Sequence, residues 1–132
     1  MTLRELSQLY WLNREIRDDE RRLEALRLRR IGVSSPVNDG MPHAQDVHSK
    51  TESLALAIVE LEGIIAEKQA QGMRERVKLE RWIAAIPDSL TRQVFTARFV
   101  EGLTWAEVAE YIGGGITESG VRMICYRYLD GR

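Results

Sequence analysis

The sequence predicts an all-α protein in which a long antiparallel helical hairpin precedes a unit of three short helices. Apolar residues recur at steps of three and four over two long segments, which is the period of an amphipathic helix. The chain has only three prolines in 132 residues. Three helix-start signals, at Asp88 or Ser89, at Thr104 and at Thr117, follow one another in the last third. We therefore divide the chain into a hairpin over residues 1–86, with a loop over 33–50, and a second domain over 87–132.

The first predicted helix runs from Leu3 to about Ile31. Its inward stripe follows steps of three and four with one acidic interruption, at Asp19. The stripe consists of Leu9, Leu12, Ile16, Asp19, Leu23, Leu26 and Arg30. Gly32 is a typical helix stop, and the two prolines and several turn formers of residues 33–50 predict the loop.

The second predicted helix starts near Ser49 or Thr51 and ends near Ile86. Its stripe is apolar at both ends and polar in the middle, where Gly72 predicts a kink or weak point. The stripe consists of Leu54, Ile58, Leu61, Ile65, Lys68, Gly72, Glu75, Leu79, Trp82 and Ile86. Folding back antiparallel lets each helix cover the stripe of the other. The same stripes could also pair between two chains, so a homodimer through the hairpin stays open.

Residues 87–132 predict three short helices. Asp88 or Ser89 caps the first helix, which ends at Gly102, and a Thr104–Glu107 capping box opens the second. After the glycines at 113–115, Thr117 caps a last helix from Glu118 to about Leu129. The predicted buried positions are Leu90, Val94, Phe95, Ala97 and Phe99 in the first helix, and Val121, Ile124, Cys125 and Tyr128 in the last. Such a succession forms a helix-turn-helix.

This region resembles a known family. Residues 98–109, Arg-Phe-Val-Glu-Gly-Leu-Thr-Trp-Ala-Glu-Val-Ala, the Ile-Gly turn at 112–113 and the Val-Arg-Met-Ile of residues 121–124 are similar to region 4 of sigma-70 factors. This match covers about forty residues. With the preceding hairpin and the Gly-Met-Pro of residues 40–42, the whole chain resembles small phage and prophage regulators of the ArpU and RinA kind.

The resemblance implies a DNA-binding transcription regulator whose last helix enters the major groove while the turn before the middle helix meets phosphate. Carried over to this chain, the implied DNA-binding residues are Arg98, Thr104, Thr117, Glu118, Ser119, Arg122, Met123, Tyr126 and Arg127. The implied partners are double-stranded DNA and RNA polymerase. From the apolar stripes of the hairpin, we also expect a second copy of the chain as a partner.

Two other functions remain open because this chain departs from the family. Sigma factors commonly present Arg, Glu and Gln on the reading helix, whereas this chain has Glu118, Ser119 and Met123 there, and its glycine turn is about two residues longer. Residues 84–132 also carry five basic and six acidic side chains, so no segment there is strongly basic. A protein–protein interaction module with a degenerate helix-turn-helix, or a DNA-packaging accessory protein, fits these observations too.

Composition excludes several classes of protein. No run approaches the roughly 18 apolar residues of a membrane span, and the first thirty residues lack a signal-peptide core, so we expect a cytoplasmic protein. One cysteine, Cys125, allows no internal disulfide and no multi-thiolate zinc site. Since no nucleophile elbow, phosphate loop or catalytic carboxylate pair is present, we expect no enzyme and no cofactor. His43, Asp46 and His48 lie close in sequence, but no second cluster completes a metal site.

Overall fold

The computed structural model describes residues 1–34 and 44–131. Every regular element in these ranges is a helix, which confirms the all-α class. The elements are α1 (Leu3–Leu6), α2 (Gln8–Ser34), α3 (Ala44–Ala84), α4 (Ser89–Phe95), a π-helical turn (Thr96–Val100), α5 (Trp105–Ile112) and α6 (Glu118–Leu129). None of the described helices is both long enough and apolar enough to cross a bilayer.

Packing divides the chain into two compact units. A central unit consists of Arg14–Ala70, and a terminal unit combines Met1–Asn13 with Gln71–Arg132. Helices α2 and α3 each contribute residues to both units. The division into domains 1–86 and 87–132 stays a prediction, because packing within the chain does not test which segments fold independently.

In the central unit, α2 and α3 pack antiparallel. The Nζ of Lys68, near the end of this stretch of α3, lies 2.7 Å from the Oε1 of Glu15, near the start of the α2 stretch. Toward the other end, Arg29 of α2 and Lys50 of α3 line the same hollow. The buried residues between the helices are Ile16, Asp19, Leu23, Ile58 and Ile65. All five are positions of the two predicted stripes.

The polar interruptions of the two stripes meet in this interface. Asp19 is fully buried, and its Oδ2 accepts a hydrogen bond from Lys68 Nζ at 2.5 Å, while Arg22 donates to its other oxygen. The hydrogen bond from Lys68 is the main reason that the pKa of Asp19 lies below its usual value, although burial opposes the shift. Both positions belong to the predicted stripes, but the sequence did not predict that Lys68 bonds to Asp19.

The connection between α2 and α3 is shorter than predicted. Helix α2 continues through Gly32 to Ser34, and α3 already starts at Ala44, so the loop prediction is wrong for 33–34 and for 44–50. Residues 44–50 contain neither proline nor glycine, and His48 Nε2 lies 3.1 Å from Glu52 Oε1 one turn later. A glycine within a helix costs only about 1 kcal/mol, which explains why Gly32 does not end α2. The Gly-Met-Pro of residues 40–42 and His43 lie outside the described residues.

The terminal unit has two clusters of buried residues. One cluster joins α1, the start of α2 and the end of α3 with α4, the π-helical turn and α6. It consists of Leu6, Leu9, Leu79, Ile83, Ile86, Phe95, Phe99, Val100 and Cys125. The other lies within the three-helix part and consists of Val94, Ala97, Val108 and Val121. The ring of Trp82 packs edge-on against Phe95 and Tyr128, with centroids 5.3 and 5.8 Å away. The three short helices therefore share their core with the start of α2 and the end of α3.

One predicted core residue of α4 is exposed. Leu90 is 40% exposed, whereas the next residue, Thr91, is buried. The carboxylate of Asp88 accepts hydrogen bonds from the backbone N–H and the hydroxyl of Thr91, at 3.0 and 2.7 Å. These two bonds fix the first turn of α4 so that Thr91 points inward and Leu90 outward.

Candidate nucleic-acid interface

Two threonine caps fix where α5 and α6 begin. The N–H of Glu107 donates to the hydroxyl of Thr104 at 3.2 Å, and the N–H of Thr104 donates to the carboxylate of Glu107 at 3.1 Å. The hydrogen bond from the Thr104 backbone lowers the pKa of Glu107. At α6, the N–H of Gly120 donates to the hydroxyl of Thr117 at 3.0 Å. Both predicted caps are confirmed.

The first predicted helix of this region ends at the predicted glycine, but its last turn has a form that the sequence did not predict. Its last five residues, Thr96–Val100, form a π-helical turn, in which the N–H of Glu101 donates to the carbonyl of Thr96 at 3.0 Å. Gly102 then takes a φ of 73°, a left-handed conformation that other residues adopt only at a cost. Together the turn and the glycine place Leu103 against the second buried cluster. The predicted stop at Gly102 is confirmed.

The turn between α5 and α6 is built from glycines. Gly113, Gly114 and Gly115 have φ values of 71°, 67° and 81°, so three consecutive residues lie in the region that L-amino acids with a side chain avoid. The N–H of Ile116 donates back to the carbonyl of Gly113 at 3.3 Å and closes the turn. This backbone path needs the glycines and sets where α6 departs.

Helix α6 buries one face and exposes the other. Val121 and Cys125 are fully buried, and Ile124 and Tyr128 are partly buried, which confirms the predicted inner face. Burial raises the pKa of the Cys125 thiol to about 12. On the opposite face, Arg122 is partly exposed, and the exposed residues are Glu118, Ser119, Met123, Tyr126 and Arg127. All six residues carried over to α6 thus lie together on an open helix face.

Arg98 lies beside this face but is held by the protein itself. Its Nη1 donates to the carbonyl of Leu103 at 2.9 Å, and its guanidinium carbon lies 4.7 Å from the centre of the Trp105 ring. The ring of Tyr126 in α6 contacts Trp105 at 6.3 Å between centroids. Arg98, Trp105 and Tyr126 therefore follow one another in space and connect the π-helical turn with α6. A phosphate contact of Arg98 or Thr104 stays a prediction.

The exposed face of α6 carries one glutamate and two arginines. Arg122 Nη2 lies 2.8 Å from Glu118 Oε1, one turn earlier in the helix. Arg127 has no ion-pair partner among the described residues. Because a surface pair of this kind contributes little free energy, Arg122 can exchange Glu118 for another acceptor at small cost. The available positive charge therefore lies along the middle and end of α6.

Phe99 and Trp105 belong to the core of the terminal unit, as their spacing predicts. Phe99 is buried, and its ring lies edge-on to Trp105 with centroids 6.4 Å apart. Trp105 is partly buried. The guanidinium group of Arg98 and the ring of Tyr126 contact its indole ring.

The terminal unit has a groove that the sequence did not predict. The groove has a volume of about 620 Å³ and a largely apolar lining from the end of α3, from α4 with the π-helical turn, and from α5. The apolar lining includes Ile83, Ala97, Leu103 and the ring of Tyr111. Tyr111 is 65% exposed. A large aromatic side chain on the exposed side of α5 is the sequence feature that could have indicated the groove.

No metal-binding group of three His, Cys, Asp or Glu side chains occurs among residues 1–34 and 44–131. That His43, Asp46 and His48 form no metal site stays a prediction, since His43 lies outside these ranges. No protein-family model, curated protein or solved structure matches the chain.

Proposed function

We propose that the protein is a phage-type transcriptional regulator that reads duplex DNA through α6. The observation that carries the proposal is the open face of α6, which presents Ser119, Arg122 and Arg127 while Val121 and Cys125 hold the helix from behind. A helix-turn-helix reads DNA with the corresponding face of its last helix. The similarity of residues 98–124 to region 4 of sigma-70 factors supports the same assignment.

The side chains on this face suit base edges of different kinds. Arg122 and Arg127 can each donate two hydrogen bonds to a guanine, and Ser119 can bond to several bases. Met123, which is 45% exposed, offers an apolar contact for the methyl group of thymine. Glu118 can accept from the amino group of cytosine once it releases Arg122. Specificity in this proposal comes from a few base contacts.

The even charge distribution limits the contribution of phosphates. Apart from Arg122 and Arg127, the phosphate-binding groups on this side are Thr104, Arg98 and the N–H groups at the start of α6. A small number of phosphate contacts predicts moderate affinity with a shallow but measurable salt dependence. RNA polymerase, or a second copy bound through the hairpin helices, would then add to retention at a promoter.

The test is a selection of duplex fragments from host and prophage DNA, followed by titration of the selected sequence at several salt concentrations. We expect the logarithm of the affinity to fall linearly with the logarithm of salt, with a slope of about −2 to −4. Substituting Arg122→Ala together with Arg127→Ala should lower affinity at least about tenfold and remove sequence preference.

The matched control removes two arginines elsewhere. Arg17 and Arg27 are exposed on α2, so Arg17→Ala with Arg27→Ala changes net charge equally and should leave DNA affinity nearly unchanged. Equal retention of the wild type and the α6 variant on the selected DNA would contradict the proposal. Recovery of genome-packaging sites instead of promoters would assign the same DNA-binding face to packaging.

The groove favours a second candidate function, a protein–protein interaction module. Its apolar lining and the exposed ring of Tyr111 are typical of a site that binds an apolar side chain of a partner protein. In that case the helix-turn-helix serves as a scaffold, and the protein shows no salt-dependent affinity for any duplex. Substituting Tyr111→Ala would then weaken partner binding, while the α6 variant would bind the partner normally.

A further inference from the structure

Helix α3 has a second apolar stripe, on the side opposite to the one that packs against α2. Within the central unit this stripe contains Leu56, Val59, Gly63 and Ala66, again at steps of three and four. Leu56 and Val59 are 67% and 66% exposed, so no part of the described chain covers them. We name this group the acid-flanked patch, because Glu60, Glu62 and Glu67 border it.

The same register continues on α3 in the terminal unit. Met73 and Val77 are 72% and 48% exposed and line a shallow hollow of about 490 Å³. Arg74, Lys78 and Arg81 line that hollow with them. We name this group the base-flanked patch. Ala70, which is exposed, lies between the two patches in the register.

The charges that border the two patches are available for a partner. Among the described residues, none of the three glutamates of the acid-flanked patch forms an ion pair, and neither do Arg74, Lys78 and Arg81. Arg76 differs, since its Nε lies 3.1 Å from the Oε1 of Glu80. Two apolar patches of one helix thus have bordering charges of opposite sign.

We infer that the protein forms an antiparallel homodimer in which the acid-flanked patch of one copy packs on the base-flanked patch of the other. Two identical helices that run in opposite directions bring both pairs of patches together at once, in an isologous interface. Glu60 and Arg81 lie equally far from the midpoint between Ala70 and Gln71, as do Glu67 and Arg74. A pairing centred there therefore opposes unlike charges on both sides of the midpoint.

The side-chain sizes suit the same pairing. Gly63, Ala66 and Ala70 are small and lie near the centre, where two helix backbones approach most closely, while Met73 and Val77 fill the space opposite to them. A parallel pairing would bring the two acid-flanked patches together at one end and the two base-flanked patches together at the other, and like charges oppose association. Under the proposed function, the second copy of the chain binds through this surface of α3.

Sedimentation of the full chain without DNA tests the inference. We expect the wild type to be dimeric at about 50 µM. Reversing the charges of the acid-flanked patch, with Glu60→Arg and Glu67→Arg, should weaken the dimer at least about tenfold, as should Arg74→Glu with Arg81→Glu. All four substitutions together should restore it, because the unlike pairs return only in an antiparallel dimer. Substituting Ala70→Glu, which places two carboxylates at the centre, should yield a monomer.

Exposed charges of α2 supply the control. Glu20→Arg with Glu24→Arg changes net charge as much as the acid-flanked variant and should leave the dimer intact. A monomeric wild type would overturn the inference. So would a variant with all four substitutions that is no more dimeric than the two double variants. Far-ultraviolet circular dichroism of each variant shows that helices are retained. Because no DNA is present, these results are independent of whether α6 binds DNA.

Discussion

Asp19 shows how a single buried charge contributes to the pairing of two long helices. Its carboxylate has no exposed surface and bonds to Lys68 and Arg22, so both of its oxygens have a partner. A buried ion pair adds little net stability compared with apolar residues of the same size, but removal of one partner leaves the other charge uncompensated. The pair therefore favours one alignment of α2 against α3 over shifted ones.

Stability should fall on acidification in a way that depends on Asp19. Since the pKa of Asp19 is lower in the folded state than in the unfolded state, its contribution is complete above the unfolded pKa and is lost as pH falls through the folded pKa. We expect Asp19→Asn to lower the free energy of unfolding at pH 7 by about 2 kcal/mol, and to do so less at acidic pH. Urea titrations at a series of pH values measure both effects.

The neighbouring carboxylate serves as the control. Asp18 lies at the surface, and its ion pair with Arg21 joins two largely exposed side chains, so Asp18→Asn should change stability little at any pH. If Asp18→Asn and Asp19→Asn shifted the acid transition equally, the buried pair would not be its cause.

Two glycines that look alike in sequence differ at the level of the elements that contain them. Both Gly32 and Gly102 follow a predicted helix, but α2 continues through Gly32, whereas Gly102 has a φ of 73°. A Cβ at either position would meet no atom within 4 Å, so only the backbone conformation distinguishes them. Gly102→Ala should therefore destabilise the protein by about 1 kcal/mol, and Gly32→Ala should stabilise it by about 0.5 kcal/mol.

Paired urea titrations of these two variants at one protein concentration measure the difference. Loss of stability in both would place Gly32 outside the helical region. Equal stability of wild type and Gly102→Ala would show that the turn after residue 100 relaxes without cost.

The periodicity of apolar residues predicted the two long helices, whereas the turn-forming residues between them misplaced both ends of their connection. The stripes of α2 and α3 have buried members at the predicted positions. A helix that packs on one side buries residues at the helical period, and apolar residues recur in the sequence with the same period. The predicted start of α3, near Ser49 or Thr51, was wrong, because the helix already begins at Ala44. Prolines and turn formers do not prevent a helix from starting directly after them. The π-helical turn at Thr96–Val100 leaves no signal in residue types, since it depends on how the chain must approach Leu103.

The candidate site divides in the same way. The caps at Thr104 and Thr117 and the outward face of α6 followed from short-range patterns. The stacking of Arg98 on Trp105, the groove beside Tyr111 and the pairing of Asp19 with Lys68 join residues far apart in sequence or in different elements. Such contacts depend on tertiary packing, which short-range patterns of residue types do not reveal.

A protein that dimerises through α3 and binds DNA through α6 presents two reading helices to one DNA duplex. An isologous dimer relates its two copies by a two-fold axis, so the two α6 helices meet DNA in a two-fold arrangement. The preferred site should therefore contain two half-sites in inverted orientation. Binding of the second half-site becomes intramolecular once the first is bound, and affinity rises without any new kind of contact.

The variant Ala70→Glu separates the two contributions, because it alters α3 and leaves every residue of α6 unchanged. We expect it to bind a full site about 10–100 times more weakly than the wild type does, while both proteins bind a single half-site with similar affinity. Fluorescence anisotropy with full-site and half-site duplexes measures the two constants, and footprinting shows whether protection is symmetric. A wild type that binds the half-site as tightly as the full site would show that each copy acts alone on DNA. In that case the dimer would have a role other than recognition of the site.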